Sequence, residues 1–367
     1  MLNRPQAAVV NSHNGWDPLE EVVIGVPYLL DYATDVSFRL FFHDNIAEEV
    51  YFEDESGTWK TFGKFPDNWI RDEALEDLEG IVETLRGEGV TVRRPEVIDR
   101  ITVTRSPWWE APLSHAMMCR DVFIVVADEI IETPPLVRSR YFEPDLYKSL
   151  FTEYFRAGAR WITVPKSRLL EKNFDFSYAV SRGYTDHVPD EQDHEMMFDG
   201  AQILRIGEDL IFNCSTDNHR LGMNWLKRHL GTPYRVHEIG IADNHIDAKF
   251  VALRPGTLLM HPSVGLEEIP AFLRSWDVIR FEPPETEGSR DPSVVQLATE
   301  NIGMNVLSID EQRVVVQEEQ RPLIRSLECS GFTPVTVRWR HGQVLGGGLH
   351  CMSLDVRRRG DLQDYRT

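Results

Sequence analysis

Asp72-Glu73-Ala74-Leu75-Glu76-Asp77-Leu78-Glu79-Gly80-Ile81-Val82-Glu83-Thr84-Leu85-Arg86-Gly87-Glu88-Gly89-Val90-Thr91-Val92 is the stretch from which the architecture can be read. Asp72 can cap a helix, and Leu75, Leu78, Val82 and Leu85 then share one helical face. Gly87 and Gly89 stop that helix, and the chain passes at once into a strand, Val90-Thr91-Val92, which Pro95 closes. The same order recurs four times. Leu146, Leu150, Tyr154 and Phe155 lead through Gly158 to Trp161-Ile162-Thr163-Val164-Pro165. Leu221, Trp225 and Leu226 lead through Gly231 to Tyr234-Arg235-Val236. A helix from Leu266 to Leu273 precedes Val278-Ile279-Arg280-Phe281. Leu323, Ile324 and Leu327 follow Pro322, which suits a first turn, and Gly331 stops them before Val335-Thr336-Val337.

Another β-rich run lies ahead of each helix. These are Val22-Val23-Ile24, Val122 to Val126 with Ile130-Ile131, Leu210-Ile211-Phe212, Leu258-Leu259-Met260 and Val314-Val315-Val316. Five strand–helix–strand units with irregular insertions predict an α/β repeat architecture closed in a ring. A doubly wound sheet would give the same alternation, but no Gly-x-Gly-x-x-Gly follows the first strand and no Walker-type loop occurs. The chain, 1–367, is read as a single domain with an inserted loop near 171–195, polar and rich in Asp and His.

Apolar residues make up 42% of the chain and charged residues 27%, which fits a globular enzyme rather than a disordered protein. A formal charge of −20 argues against nucleic acid and anionic membranes as partners and favours cationic small molecules. The four cysteines, Cys119, Cys214, Cys329 and Cys351, are far apart, so neither a disulfide framework nor a CxxC site is expected. With no apolar run of signal-peptide or membrane-span length, the expectation is a cytoplasmic protein.

Chemistry concentrates in Gly346-Gly347-Gly348-Leu349-His350-Cys351-Met352-Ser353-Leu354-Asp355-Val356-Arg357-Arg358-Arg359-Gly360. Three glycines without side chains leave the approach to Cys351 open, and the basic run beyond it predicts an electropositive setting for a nucleophilic thiolate. His350 is adjacent to Cys351, and neighbours in an extended segment face apart, so it is a poor base for that thiol. His245 is the better candidate. In Asn244-His245-Ile246-Asp247, read as a strand, His245 and Asp247 project to one side, an acid/base beside a cation-binding carboxylate. Asp121 opens the strand Val122–Val126, and Asp199 lies among apolar residues before Gly200. His115 and Cys119 have helical spacing for a metal, but without a second ligand pair no metal site is assigned.

Together these segments resemble the arginine-dependent amidinotransferases of the guanidino-group-modifying (pentein) superfamily. The likeness runs through Trp16-Asp17-Pro18-Leu19-Glu20-Glu21-Val22, Arg120-Asp121-Val122-Phe123, Ile130-Ile131-Glu132 and Arg138-Ser139-Arg140-Tyr141-Phe142-Glu143. It continues in Phe198-Asp199-Gly200-Ala201, His245-Ile246-Asp247-Ala248, Met304-Asn305-Val306 and the Gly346–Gly360 segment. The resemblance implies a five-bladed α/β propeller of pseudo-fivefold ββαβ units around a central channel. It implies Cys351 as nucleophile, His245 as acid/base, Asp199 as its orienting carboxylate, and Asp121 and Asp247 as the grip on the donor guanidinium. The implied reaction moves the amidino group of L-arginine to an amine through a covalent amidino-cysteine and releases L-ornithine, with no metal or organic cofactor. A homodimer is expected by the same resemblance.

Departures from the glycine-using branch bear on substrate. Asn244, after Ala242-Asp243, stands where that branch has methionine, which predicts an acceptor larger than glycine and a specialised biosynthetic role. His261-Pro262-Ser263-Val264-Gly265 lacks the arginine that would bind the donor carboxylate, and Ala298-Thr299 keeps one of two hydroxyls. The alternatives are a glycine amidinotransferase, a deiminase-type hydrolase forming citrulline, and a non-catalytic guanidino-binding protein.

Overall fold

The structure is a computed structural model that describes residues 8–27, 33–41, 50–61, 68–114, 116–175, 189–241, 245–284, 294 and 296–366. His115 and the residues 242–244, on which the acceptor argument rests, lie outside the described residues, as does the middle of the 171–195 insertion.

The fold is mixed α/β, and the described residues form two two-stranded sheets and five three-stranded ones of one design. In the second, Phe123–Val126 runs antiparallel to Glu129–Glu132, which pairs in parallel with Arg160–Thr163. The third has Ile203–Ile206, Asp209–Asn213 and Arg235–Ile239 in the same relation, and the fourth has Phe250–Arg254, Thr257–Met260 and Asp277–Arg280. Leu307–Ser308, Arg313–Gln317 and Thr333–Val337 make the fifth. The first joins the two ends of the chain: Ser353–Arg358 pairs antiparallel with Leu19–Ile24, which pairs in parallel with Thr91–Arg93.

Parallel pairing requires a crossover between the second and third strands, and helices supply it. These are Asn68–Gly87, Lys148–Arg156, Asp217–Leu230 and Arg321–Cys329. The fourth unit departs from expectation. Instead of a helix from Leu266 to Leu273 it has two 3-10 turns, Leu266–Glu268 and Ala271–Leu273. Pro270, between them, has no N–H to give to a continuous helix.

Alternate residues of a strand face opposite ways, and here the two faces serve different neighbours. Val23, Leu354 and Val356 of the first sheet pack with Phe123, Val125 and Ile130 of the second, whereas Ile124, Val126 and Ile131 pack with Ile203, Leu210 and Phe212 of the third. Leu204 and Ile211 of the third sheet meet Phe250 and Leu258 of the fourth, and Val251 and Leu259 meet Val314 and Val316 of the fifth. Val315 and Val337 of the fifth return to Val22, Ile24 and Val92 of the first, under Leu78, Val82 and Leu85 of the long helix. Each sheet therefore shares an apolar core with the sheets before and after it, and the last with the first. No sheet closes on itself among the described residues. No helix among them is long and apolar enough to cross a membrane.

Candidate active site

In all five units a short turn leads into the first strand of the sheet, and each turn carries a residue of one polar cluster. Asp121 sits in a helical turn, Cys119–Val122, and the strand starts at Phe123 rather than at Val122. Asp199 precedes the 3-10 turn Gly200–Gln202 and its backbone N–H donates to Gln202 Oε1 at 2.8 Å. His245 and Asp247 belong to a 3-10 turn over Ile246–Ala248, not to a strand, so they converge without sharing a pleat face. Asn305 ends the turn Glu300–Met304, and Cys351 lies in the bend before Ser353–Arg358.

Cys351 Sγ lies within 4.8 Å of a ring nitrogen of His245. One donor atom from each of Asp121, His245 and Cys351 lies within 4.8 Å of the others. His245 Nε2 is 3.1 Å from Asp199 Oδ2, and its Nδ1 is 3.8 Å from Asp121 Oδ1. Asp247 accepts from His350 Nδ1 at 2.7 Å and from Arg120 Nε at 3.4 Å, both on Oδ2. Asp121 Oδ2 accepts from Arg140 Nη1 at 2.5 Å. The other oxygen of each acid, Oδ1 of Asp121, Asp199 and Asp247, is buried with no hydrogen-bond partner among the described residues. Three such acceptors in one cluster are costly unless N–H or O–H donors of a bound molecule or of water complete them.

Charges set the protonation pattern. Burial, reinforced by Asp247 and Asp121, pushes the Cys351 thiol up to about 12, against the pull of His245. Acids rather than the basic run set the field at the sulfur, which corrects the electropositive setting expected from that run. Arg357 pairs with Glu20 and Glu21, and Arg358 with Asp355, away from the sulfur. Burial opposes charge on His245, but Asp121 and Asp199, with Cys351 close by, hold its pKa well above the ordinary value. Burial would raise Asp247 too, yet His350 and Arg120 bring it down to about 2. Asp121 is raised by burial despite His245 and Arg140.

The glycines also act differently from the expectation. A Cβ on Gly347 would lie 2.3 Å from Met118 Sδ, and one on Gly348 would lie 2.6 Å from Asn305 Cβ. They let the loop press onto its neighbours rather than clear a path for a ligand. Asn305 then clamps that loop, its Oδ1 accepting from the N–H of His350 at 2.8 Å and of Cys351 at 2.9 Å.

Thus the structure brings Cys351, His245, Asp199 and Asp121 together, with Asp247 held by His350 and Arg120. Sequence reasoning assigned no role to Arg120, Arg140, Glu143, Asn305 or His350. The available signal was charge at positions embedded in apolar runs, which burial makes costly without a partner. The 171–195 insertion is pinned at its ends by Asn173, which donates to Asp193 O, and by Lys172 with Asp193. Two groups are close enough to hold a metal ion among the described residues: Asp121, His245 and Cys351 themselves, and Asp175, His194 and Asp217.

A thiol, an imidazole and an array of buried carboxylates form an enzyme-like cluster. The chain is 35% identical over 365 residues, with 98% of it and 97% of the relative covered, to the L-arginine:L-lysine amidinotransferase of Pseudomonas savastanoi pv. phaseolicola. It is 34% identical to the mitochondrial glycine amidinotransferase of Xenopus laevis, covering 98% of this chain and 85% of that one. Among solved structures, the inosamine-phosphate amidinotransferase of Streptomyces griseus matches with a TM-score of 0.85 at 35% identity, covering 98% of this chain and all of that one. No family model matches. The chain belongs to the amidinotransferase family.

Proposed function

We propose that this protein transfers the amidino group of L-arginine to an amine acceptor through an amidino-Cys351 intermediate. The observation that carries the reading is the Cys351–His245 pair, sulfur and ring nitrogen within 4.8 Å, in one cluster with three buried carboxylate oxygens lacking partners among the described residues. A guanidinium is planar, cationic and rich in N–H donors, which is what such oxygens accept.

In this mechanism the arginine guanidinium settles between Asp121 and Asp247, and its charge offsets the carboxylates that keep the thiol protonated. The thiol loses its proton to water as the substrate cation binds. The sulfur attacks the guanidinium carbon, forming a C–S bond. His245, held as imidazolium by Asp121 and Asp199, protonates the departing δ-nitrogen as the C–N bond breaks. L-Ornithine leaves, and His245 is now neutral. A neutral acceptor amine attacks the amidino carbon, His245 takes the proton it sheds, and the C–S bond breaks to restore the sulfur.

The acceptor, in our reading, is an amine larger than glycine, used in a specialised pathway. Asn244 in place of the methionine of the glycine-using branch supports this, and so do relatives named for lysine and inosamine phosphate. The donor carboxylate must be bound without the missing arginine. The turn at His261 is closed by Ser263 Oγ, 2.7 Å from His261 Nδ1, and Arg280 is engaged by the carbonyls of His261 and Val264. We further read the five sheets as blades of a propeller around a central channel, supported by the cores that link each to the next. A cytoplasmic homodimer is the expected state, to be checked by sedimentation.

The deciding experiment incubates the protein with L-arginine, alone and with a panel of amines, and measures ornithine, citrulline and intact mass. An amidino adduct on wild type, absent in Cys351→Ser, with ornithine turnover only when an acceptor is present, supports transfer. Citrulline formed without acceptor replaces it with hydrolysis, and arginine binding with no adduct leaves a binding protein.

A further inference from the structure

Arg140 lies wholly inside the protein, one helical turn before Glu143, in a 3-10 turn following the second sheet's hairpin. Four of its five N–H donors are engaged. Nε and Nη2 donate to Glu143 Oε2 at 2.7 Å and Oε1 at 3.1 Å, and Nη2 also donates to the Met118 carbonyl at 2.8 Å. Nη1 donates to Asp121 Oδ2 at 2.5 Å. One cation therefore serves two buried carboxylates, and only one of them, Asp121, belongs to the cluster around Cys351.

We propose that Arg140, anchored by Glu143, is the positioning residue that aims Asp121 Oδ1 at the donor guanidinium. The inference rests on the reading of Asp121 as a donor-binding acid. Occupying Oδ2 fixes the rotation of the carboxyl group, so that Oδ1 faces His245 and the sulfur. Charge is the second effect. Asp121 is raised by burial and by the nearby Asp199, and Arg140 is one of the two cations that oppose the rise. Glu143, pushed up to about 7 by burial despite Arg140, competes for the same guanidinium. Among the described residues Glu143 hydrogen-bonds to Arg140 and to no member of the cluster, so its action on the site passes through Arg140.

The sign of the pH effect follows. Without Arg140, Asp121 takes up a proton at higher pH and stops accepting from the guanidinium, so the acid limb of donor capture moves upward in pH. Lysine at this position restores a charge but not the fork that holds both acids.

The test is single-turnover formation of the amidino adduct from L-arginine on the full chain, followed by intact mass across pH, with no acceptor needed. Arg140→Met should raise the half-saturating arginine concentration by roughly ten- to a hundredfold, as loss of a charged hydrogen bond does. It should also move the acid limb upward, with Arg140→Lys recovering part of both. Should Arg140→Met fail to fold, Arg140→Met/Glu143→Gln removes the cation with its anchor and must show the same two changes. In the Asp121→Asn background, Arg140→Met should add little, because both act on one interaction. Additive losses, or an unmoved acid limb, would reduce Arg140 to a structural role and overturn the inference. If Asp121→Asn alone leaves arginine saturation unchanged, the donor-binding reading of Asp121 fails, and the role of Arg140 falls with it.

Discussion

Cys351 is surrounded in space by the opposite of what surrounds it in sequence. The arginines beyond it are consumed by Glu20, Glu21 and Asp355, while Asp121 and Asp247 face the sulfur. A thiol pushed to about 12 by burial and these acids should react slowly with iodoacetamide at pH 7 and keep accelerating to the alkaline limit of stability. A rate that plateaus below pH 8 would mean a resting thiolate instead. Asp247 titrates in the opposite sense. Its folded pKa, about 2, lies below the ordinary carboxylate value, so its ionised form stabilises the fold above about pH 4, and that contribution is lost as pH falls through 2. Asp247→Asn should cost roughly 2–3 kcal/mol in urea unfolding at pH 7, a gap that narrows as pH falls below about 4. A gap independent of pH would remove the ion pairing from the account. The members of the polar cluster could be picked out in the sequence because each is a costly charge or thiol beside an apolar run. Their supports could not, because Arg140, Glu143 and His350 gain meaning only from partners distant in the chain.

The units of strand, helix and strand were largely readable, since Leu75, Leu78, Val82 and Leu85 mark a helix face wherever it packs. The turns that enter the first strands were not, and they hold the chemistry. His245-Ile246-Asp247 has the alternation of a strand but forms a 3-10 turn, a difference that periodicity over three residues cannot resolve. Leu266–Leu273 was read as a helix from apolar spacing alone, and Pro270 overrules it. Asn305 best tests the importance of these turns, because it holds the Cys351 loop through two backbone N–H groups. Asn305→Ala leaves both donors buried and unpaired. It should lower stability by about 2–4 kcal/mol and slow adduct formation even in molecules that remain folded. Lower stability with an unchanged single-turnover rate would make Asn305 a structural clamp with no influence on the sulfur.

Closure of the molecule is the feature least visible in a linear reading. Repetition suggested a ring, but nothing in Ser353–Arg358 announces that it will pair with Leu19–Ile24 and complete the first sheet from the far end of the chain. Asp355 stands on that last strand and ties the closure to the rest. It accepts from Arg205 Nη2 on both oxygens at 2.7 Å and from Arg358 Nε at 2.6 Å, and Arg205 also reaches Ser12 Oγ and the Val125 carbonyl. One buried carboxylate thus joins the amino-terminal segment and the first, second and third sheets. Its pKa lies far below the ordinary carboxylate range because Arg205 and Arg358 outweigh burial, so the network is ionised at neutral pH. Asp355→Ala strands two buried guanidiniums, a loss of about 3–5 kcal/mol. Since Asp355 lies on the strand that follows Cys351, its loss should loosen the far seam of the fold before the chemistry. The variant should unfold at markedly lower urea, yet still form the arginine adduct under conditions where it remains folded. An unchanged urea midpoint would show that the apolar cores alone hold the two ends of the chain together.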